Sequence, residues 1–268
     1  MKTLKHNLKG LPPICYINVE RQMLRKEVFE KQCEAFGISE YVRIEAYDGQ
    51  NDLTELITGS IPTDLSSLEI ACDLSHLKAL KHFVKHTNHA RMLMCEDDLS
   101  FEMSNYWNFS WELFEAGLPY DWDCIQLVII NPVSMHLNLH MRFVNDCSTA
   151  CYLISRRYAE KLLSLHCIGE LYKIDQLVKP KAVADALLYI AGKTYSIPLF
   201  TTVISNEGAI HEDHYPLHQN SSTIVANFWK KEFLLKEVDS GFISDYNPYL
   251  NQLPPEVYNP AFPNPPKK

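Results

Sequence analysis

The apolar run Ala90-Arg91-Met92-Leu93-Met94-Cys95 leads directly into Glu96-Asp97-Asp98. A short apolar run of this length reads as a strand buried in the middle of a sheet. Its C-terminal end must therefore deliver three adjacent carboxylates to one place. Like charges repel, and burial sharpens the repulsion. A hard divalent cation relieves it, and Mg²⁺ or Mn²⁺ typically takes one or two protein carboxylates and leaves positions for substrate phosphates. On an extended chain residues two apart point the same way, so Glu96 and Asp98 are expected on one site and Asp97 on the other face, unless the chain turns at once and brings Asp97 in. The alternative is a solvated acidic turn.

The flanking segments alternate between strand and helix patterns. ICYINV (14–19) reads as a buried strand, and the apolar spacing of Met23, Leu24, Val28, Phe29, Cys33 and Phe36 reads as a helix stopped by Gly37. YVRIEAYDG (41–49) reads as a second strand. SSLEIACDLSHLKALKHFVKH (66–86) is a helix with a stripe of Leu68, Ala71, Leu74, Leu77, Leu80 and Phe83 or Val84, and Ser66 or Ser67 as its cap. DWDCIQLVII, TACYLIS and TYSIPLF read as further strands, and SRRYAEKLLSLH and ADALLYIAGK as helices. This order predicts an α/β fold with ligands outside the carboxyl ends of the strands. Residues 205–222 read as a polar, His-rich loop and 248–268 as a Pro-rich irregular tail, leaving 1–247 as one domain.

With 268 residues, 46% of them hydrophobic, the chain can bury a substantial core, and its net charge of -8 argues against nucleic acid as a partner. No secretory signal or span of the ~20 apolar residues a membrane helix needs is visible, so a cytoplasmic location is expected. The eight cysteines lack regular spacing; Cys15, Cys72, Cys95, Cys124 and Cys151 sit among apolar neighbours and read as buried free thiols of a reducing compartment, and Cys147 and Cys151 form a CxxxC pair with no second pair to complete a zinc site. His136 and His140 read as surface residues. Homo-oligomerisation stays open.

Taken in order, INVERQMLR (17–25), RIEAYDG (43–49), LEIACDLSHLKAL (68–80), MCEDD (94–98), DWDCIQL (121–127), STACYLISRRYAEKLL (148–163) and VADALLY (183–189) resemble glycosyltransferase family 25. That family includes lipooligosaccharide galactosyltransferases and collagen hydroxylysine galactosyltransferases. The chain departs from it at Leu68 and Ala71, where the family often has glycine, and at Val183-Ala184-Asp185, where a proline is common; HQNSSTIVANFW (218–229) looks closer to the collagen-modifying branch. The resemblance implies a single-domain GT-A type fold with a mixed central sheet flanked by helices, a UDP-sugar donor of galactose or glucose, Mn²⁺ (or Mg²⁺), an inverting mechanism, and a glycan or collagen-like acceptor.

On that footing Asp98 is expected as a metal ligand, with Glu96 completing the site and Asp97 touching the donor. Arg21 and Arg25, at the start of the first helix, suit donor phosphates. Asn18 and Val19 would contact base or ribose, and Asp48 would reach the nucleotide. Ser75 and His76 match a Ser-His pair of the family and would meet donor phosphate; a helical His packed against a sheet is the alternative. Asp185 is the candidate general base for the acceptor hydroxyl, with Asp175 as its competitor and a plain helix N-terminal Asp as the bland alternative. His211, Asp213 and His214 would close over the donor, the two histidines adding to the metal site; a surface loop, or zinc bound by His211, His214 and His218, are the alternatives. A non-catalytic member acting in binding or adhesion, and a metal-dependent phosphoesterase, are the competing functions.

Overall fold

A computed structural model describes residues 4–175, 181, 183–203 and 215–236. The strands are β1 (Ile14–Val19), β2 (Tyr41–Ala46), β3 (Arg91–Glu96), β4 (Leu99–Ser100), β5 (Cys124–Gln126), β6 (His140–Met141), β7 (Cys151–Ser155), β8 (Cys167–Ile168), β9 (Leu171–Tyr172), β10 (Thr194–Ser196) and β11 (Thr201–Thr202). The helices are α1 (Met23–Phe36), α2 (Ser67–His86), α3 (Trp111–Ala116), α4 (Arg156–His166), α5 (Ala184–Tyr189) and α6 (Tyr215–Lys236). Seven strands form one mixed sheet in the order β2-β1-β3-β7-β5-β10-β6, with β3 parallel to β1 and antiparallel to β7. The mixed central sheet flanked by helices is the expected architecture.

Strand periodicity divides the core in two. Ile14 and Tyr16, Leu93 and Cys95, and Cys151 and Leu153 face one layer, with Phe29 and Cys33 of α1, Trp111 of α3 and Trp229 of α6. Their neighbours Cys15 and Ile17, Met92 and Met94, and Tyr152 and Ile154 face the other, with Leu74 and Leu77 of α2, Tyr158 of α4 and Leu187 of α5. A strand buried on both faces has no polar side, which is why β3 reads as a continuous apolar run. Each large side chain so buried contributes about 1.5–3 kcal/mol.

Helix ends follow their local chemistry. Gly37 takes the left-handed conformation (φ 73°) that terminates α1. Ser66 caps α2 in a reciprocal capping box with Glu69, and Ser155 caps α4 by accepting the Tyr158 N–H. Glu69 also pairs with Lys181 Nζ at 2.7 Å, tying the start of α2 to the segment just before α5.

Four expectations are corrected. Met23, Leu24 and Val28 are exposed and Leu68 is partly so, because the inward faces of α1 and α2 are set by Phe29, Cys33 and Phe36 and by Ala71, Leu74 and Leu77. The strand expected across 121–130 keeps ladder pairing only at Cys124–Gln126. Residues 215–222, expected in the polar loop, belong to α6: Ser221, Val225 and Trp229 recur at helical spacing and are buried, and the Trp229 indole N–H donates to Pro198 O at 2.8 Å. His140 is not a surface residue: its Nε2 lies 3.0 Å from Asp146 Oδ2 in a buried pair, and the His136 ring lies tilted beside it with ring centroids 5.3 Å apart. All eight cysteines are free, with Cys147 exposed and Cys151 buried in β7. Among the described residues no helix is long and apolar enough to cross a membrane. The 248–268 tail lies outside the described residues.

Candidate functional site

The chain turns immediately after β3, at Asp97 and Asp98. The extended alternation therefore ends at Glu96, and Asp97 and Asp98 share a partner instead. Arg25 Nη2 forms an ion pair with Asp97 Oδ1 and lies 3.4 Å from Asp98 Oδ2. Asn18, buried at the C-terminal part of β1, donates from Nδ2 to Asp97 Oδ2 at 2.6 Å and accepts from Arg43 Nε at 2.9 Å. Glu96 turns the other way, toward α2. Its Oε1 accepts from Thr149 Oγ1 at 2.7 Å and lies 3.5 Å from His76 Nε2.

The electrostatics differ accordingly. Burial works to raise Glu96, but His76 and the Thr149 hydroxyl outweigh it and hold the carboxyl below its usual range. Burial raises Asp97 despite Arg25 and Asn18. Asp98 is pushed up to about 7 by burial and then by repulsion from Glu96, against the pull of Arg25. Asp98 Oδ1 is buried and makes no hydrogen bond. Two carboxylates that share one Arg, with one orphaned oxygen between them, offer the hard oxygen donors that a divalent cation takes.

Arg21 reaches Asp48 rather than the acidic cluster: Nε donates to Asp48 Oδ2 at 2.7 Å across a partly exposed gap. The two residues expected at the donor are thus joined to each other. Val19 closes β1 beside them. The Ser75 hydroxyl donates to Ala71 O at 2.6 Å and accepts the Tyr47 N–H at 2.9 Å, which fixes the end of β2 to α2. His76 is buried, with Nδ1 3.1 Å from the Tyr152 hydroxyl.

Asp185 comes to the same end of the sheet. The Ser148 N–H donates to its Oδ1 at 2.7 Å, Arg142 Nη2 lies 3.6 Å away, and Thr149, next to Ser148, is the residue that grips Glu96. Burial raises the Asp185 carboxyl, against Arg142 and the Ser148 N–H. Asp175 is held elsewhere, accepting from the N–H and hydroxyl of Ser60 at 3.1 and 3.3 Å. His211, Asp213 and His214 lie outside the described residues, but the chain enters that segment beside the acidic turn, where Val203 N–H donates to Asp98 O at 2.6 Å.

Sequence reasoning missed Arg142, Ser148 and Asp73. Asp73 is fully buried in α2 and neither carboxylate oxygen has a hydrogen-bond partner; burial, then repulsion from Glu69 and Asp185, holds it well above the usual range. Its spacing from the buried His76, Leu77 and Leu80 placed it on the inward face, a legible signal. Ser148, with φ 109°, carries no sequence mark for that backbone. A 330 Å³ depression lined by Asp121, Asp123, Arg157 and Lys193 lies at the opposite ends of β5 and β10, away from this chemistry.

Residues 12–115 match the family model of glycosyltransferase family 25, described as LPS biosynthesis protein. No significant match is found among curated proteins. Among solved structures the chain is similar to the A197 protein from STIV (12% identity, TM-score 0.36, covering 71% of this chain and 84% of that one). It is also similar to a glycosyltransferase involved in glycosylating the major capsid of PBCV-1 (10%, TM-score 0.39, 79% and 100%) and to an active-site mutant of LgtC (11%, TM-score 0.31, 82% and 99%). These are distant likenesses.

Proposed function

We propose that this glycosyltransferase, whose residues 12–115 carry the family 25 match, moves a hexose from a UDP-sugar to a hydroxyl of a glycan or hydroxylysine-type acceptor, with inversion. The observation that carries the reading is the turn at Asp97-Asp98, where two raised carboxyls share Arg25 and Asp98 Oδ1 has no hydrogen-bond partner. Asp98 and Asp97 would hold Mn²⁺ or Mg²⁺, their oxygen donors being the type such ions take. When bound, that ion supplies positive charge for the departing diphosphate.

The chain's own residues do the rest. Arg25 neutralises the two aspartates before donor binds and remains next to the phosphate position afterwards. Arg21, pre-aimed by Asp48, offers a second guanidinium at the rim, and Asn18 and Val19 border the base and ribose. Asp185 takes the proton of the acceptor hydroxyl as that oxygen bonds to the anomeric carbon and the bond from this carbon to the diphosphate oxygen breaks. Its raised carboxyl suits a proton acceptor that must later give the proton to solvent, and Ser148 and Arg142 fix its orientation. Ser75 and His76 act from behind, holding β2 and Glu96.

A screen of UDP-, GDP- and CMP-sugars for turnover with and without Mn²⁺ tests this. Metal-dependent release of UDP from UDP-galactose or UDP-glucose supports the reading. Absence of binding to any nucleotide-sugar overturns it.

A further inference from the structure

Behind the acidic turn, on the α2 side of β3, three different donor atoms converge. Cys72 and His76 are four residues apart on α2 and so share a face, and Glu96 ends β3 opposite them. A sulfur, a ring nitrogen and a carboxylate oxygen, one from each, all lie within 4.8 Å of one another. Whereas Asp97 and Asp98 face Arg25, none of these three atoms has an Arg or Lys ion pair among the described residues. His76 Nε2 is buried and makes no hydrogen bond, although it is aimed at Glu96 from 3.5 Å.

We propose that Cys72, His76 and Glu96 form a site for one transition-metal ion of borderline softness, Zn²⁺ foremost. A thiolate and an imidazole select such ions over Mg²⁺, which demands near-octahedral oxygen ligation. Three protein ligands with a fourth position left over is an arrangement zinc accepts. The outer shell is in place: the Tyr152 hydroxyl sits 3.1 Å from His76 Nδ1, so an Nδ1–H tautomer leaves the Nε2 lone pair for the metal, and Thr149 orients Glu96 at 2.7 Å. On binding, the Cys72 sulfur bonds to the ion and its proton passes to buffer. The two positive charges of the ion then meet one thiolate and one carboxylate, a neutral set suited to a buried position. The site shares no ligand with Asp97 or Asp98 and does not depend on the donor-site reading. It couples α2 to the last residue before the acidic turn.

The test is a Co²⁺ titration of the full chain stripped of metal. The expected result is a thiolate-to-cobalt band in the near ultraviolet with tetrahedral visible bands, saturating at one equivalent. Zn²⁺ bleaches the bands, and a roughly hundredfold excess of Mg²⁺ does not. Cys72→Ser abolishes the near-ultraviolet band, His76→Ala weakens binding more than about 10–100-fold, the loss that removal of an outer-shell partner alone would bring, and Asp98→Asn leaves the spectrum intact. As a check that needs no variant, one equivalent of Zn²⁺ slows alkylation of Cys72 about tenfold or more and leaves the exposed Cys147 unaffected. No thiolate band in the wild type, a band that survives Cys72→Ser, or equal alkylation rates with and without Zn²⁺ would each overturn the proposal.

Discussion

Asp185 and Ser148 are joined by a 2.7 Å hydrogen bond in which the donor is the N–H of a residue with φ 109°. Ser148 is the one non-glycine residue with positive φ among those described. Its carbonyl accepts from Gln126 Nε2 at 2.9 Å and from the Tyr189 hydroxyl at 3.0 Å. A strained backbone is thus fixed from both sides, and its amide is aimed at the proposed base. Asp185→Asn should lower turnover about a hundred- to ten-thousand-fold. Donor affinity, measured by calorimetry with UDP and Mn²⁺, should stay near wild type. Retention of most turnover would remove Asp185 from the mechanism.

Substitutions at Ser148 separate strain from chemistry. Ser148→Gly tolerates the positive φ and should stay within about 1 kcal/mol of wild-type stability, while Ser148→Val should lose more than about 2 kcal/mol, because a β-branched residue resists that backbone. Urea unfolding of the two variants reads the difference directly. Equal stabilities would mean that the backbone relaxes.

Asp98 predicts a pH signature. Its carboxyl rises from an ordinary 3.8 to about 7 in the fold, so between those values the native state holds a proton that the unfolded chain has released. Stability of the metal-free protein therefore falls as pH rises from about 4 to about 7 and levels above it. Asp98→Asn should flatten that slope in melting temperatures taken across the range. The same titration predicts that metal-supported donor binding strengthens as pH passes about 7 in the wild type, and that Asp98→Asn abolishes it.

Arg25→Ala leaves Asp97 and Asp98 facing each other without their shared cation. Removing one partner of such a partly buried set should cost about 2–3 kcal/mol. It should also move the Asp98 titration to higher pH, since Arg25 now pulls it down. Addition of Mn²⁺ should restore part of the lost stability, as measured by thermal melts with and without the ion. An unchanged melting temperature would place Arg25 outside the cluster's charge balance.

Arg21 and Asp48 form a partly exposed pair, and pairs of that kind contribute about 0–1 kcal/mol. Arg21→Ala should therefore barely move the melting temperature, while raising the KM for the UDP-sugar about tenfold if the guanidinium meets phosphate. A KM equal to wild type would reduce Arg21 to a surface ion pair.

Much of the sheet was legible because β1, β3 and β7 carry their burial in unbroken apolar runs, and because Gly37, Ser66 and Ser155 sit where helix ends need them. The identity of the acidic cluster was legible; its orientation was not. Alternation holds only while the chain is extended, and the turn at Asp97 grouped Asp97 with Asp98 and sent Glu96 to His76. His140 was misread because β6 pairs with β10, which is distant in sequence, and that pairing brings the ring into the interior beside Asp146. There burial alone would raise Asp146, but His140, the Phe143 N–H and the Asn131 amide hold it low. Residues 215–222 were misread because Pro216 and the polar run His218 to Ser222 read as a loop; only Val225 and Trp229, further along, reveal the helix.

The order β2-β1-β3-β7-β5-β10-β6 has a bearing on where the chain can be cut. The family match stops at residue 115, so it contributes β2, β1 and β3 to the main sheet and ends before β7 is made. In the intact protein Met92, Leu93, Met94 and Cys95 are shielded along one edge by β7, over the register Arg91 to Cys95. An excised fragment ending at 115 would present that edge bare, as an apolar template for pairing with its own copies. The stretch that matches the family model is thus smaller than the stretch that must fold together, and an expression boundary drawn at the similarity limit would invite edge-to-edge association.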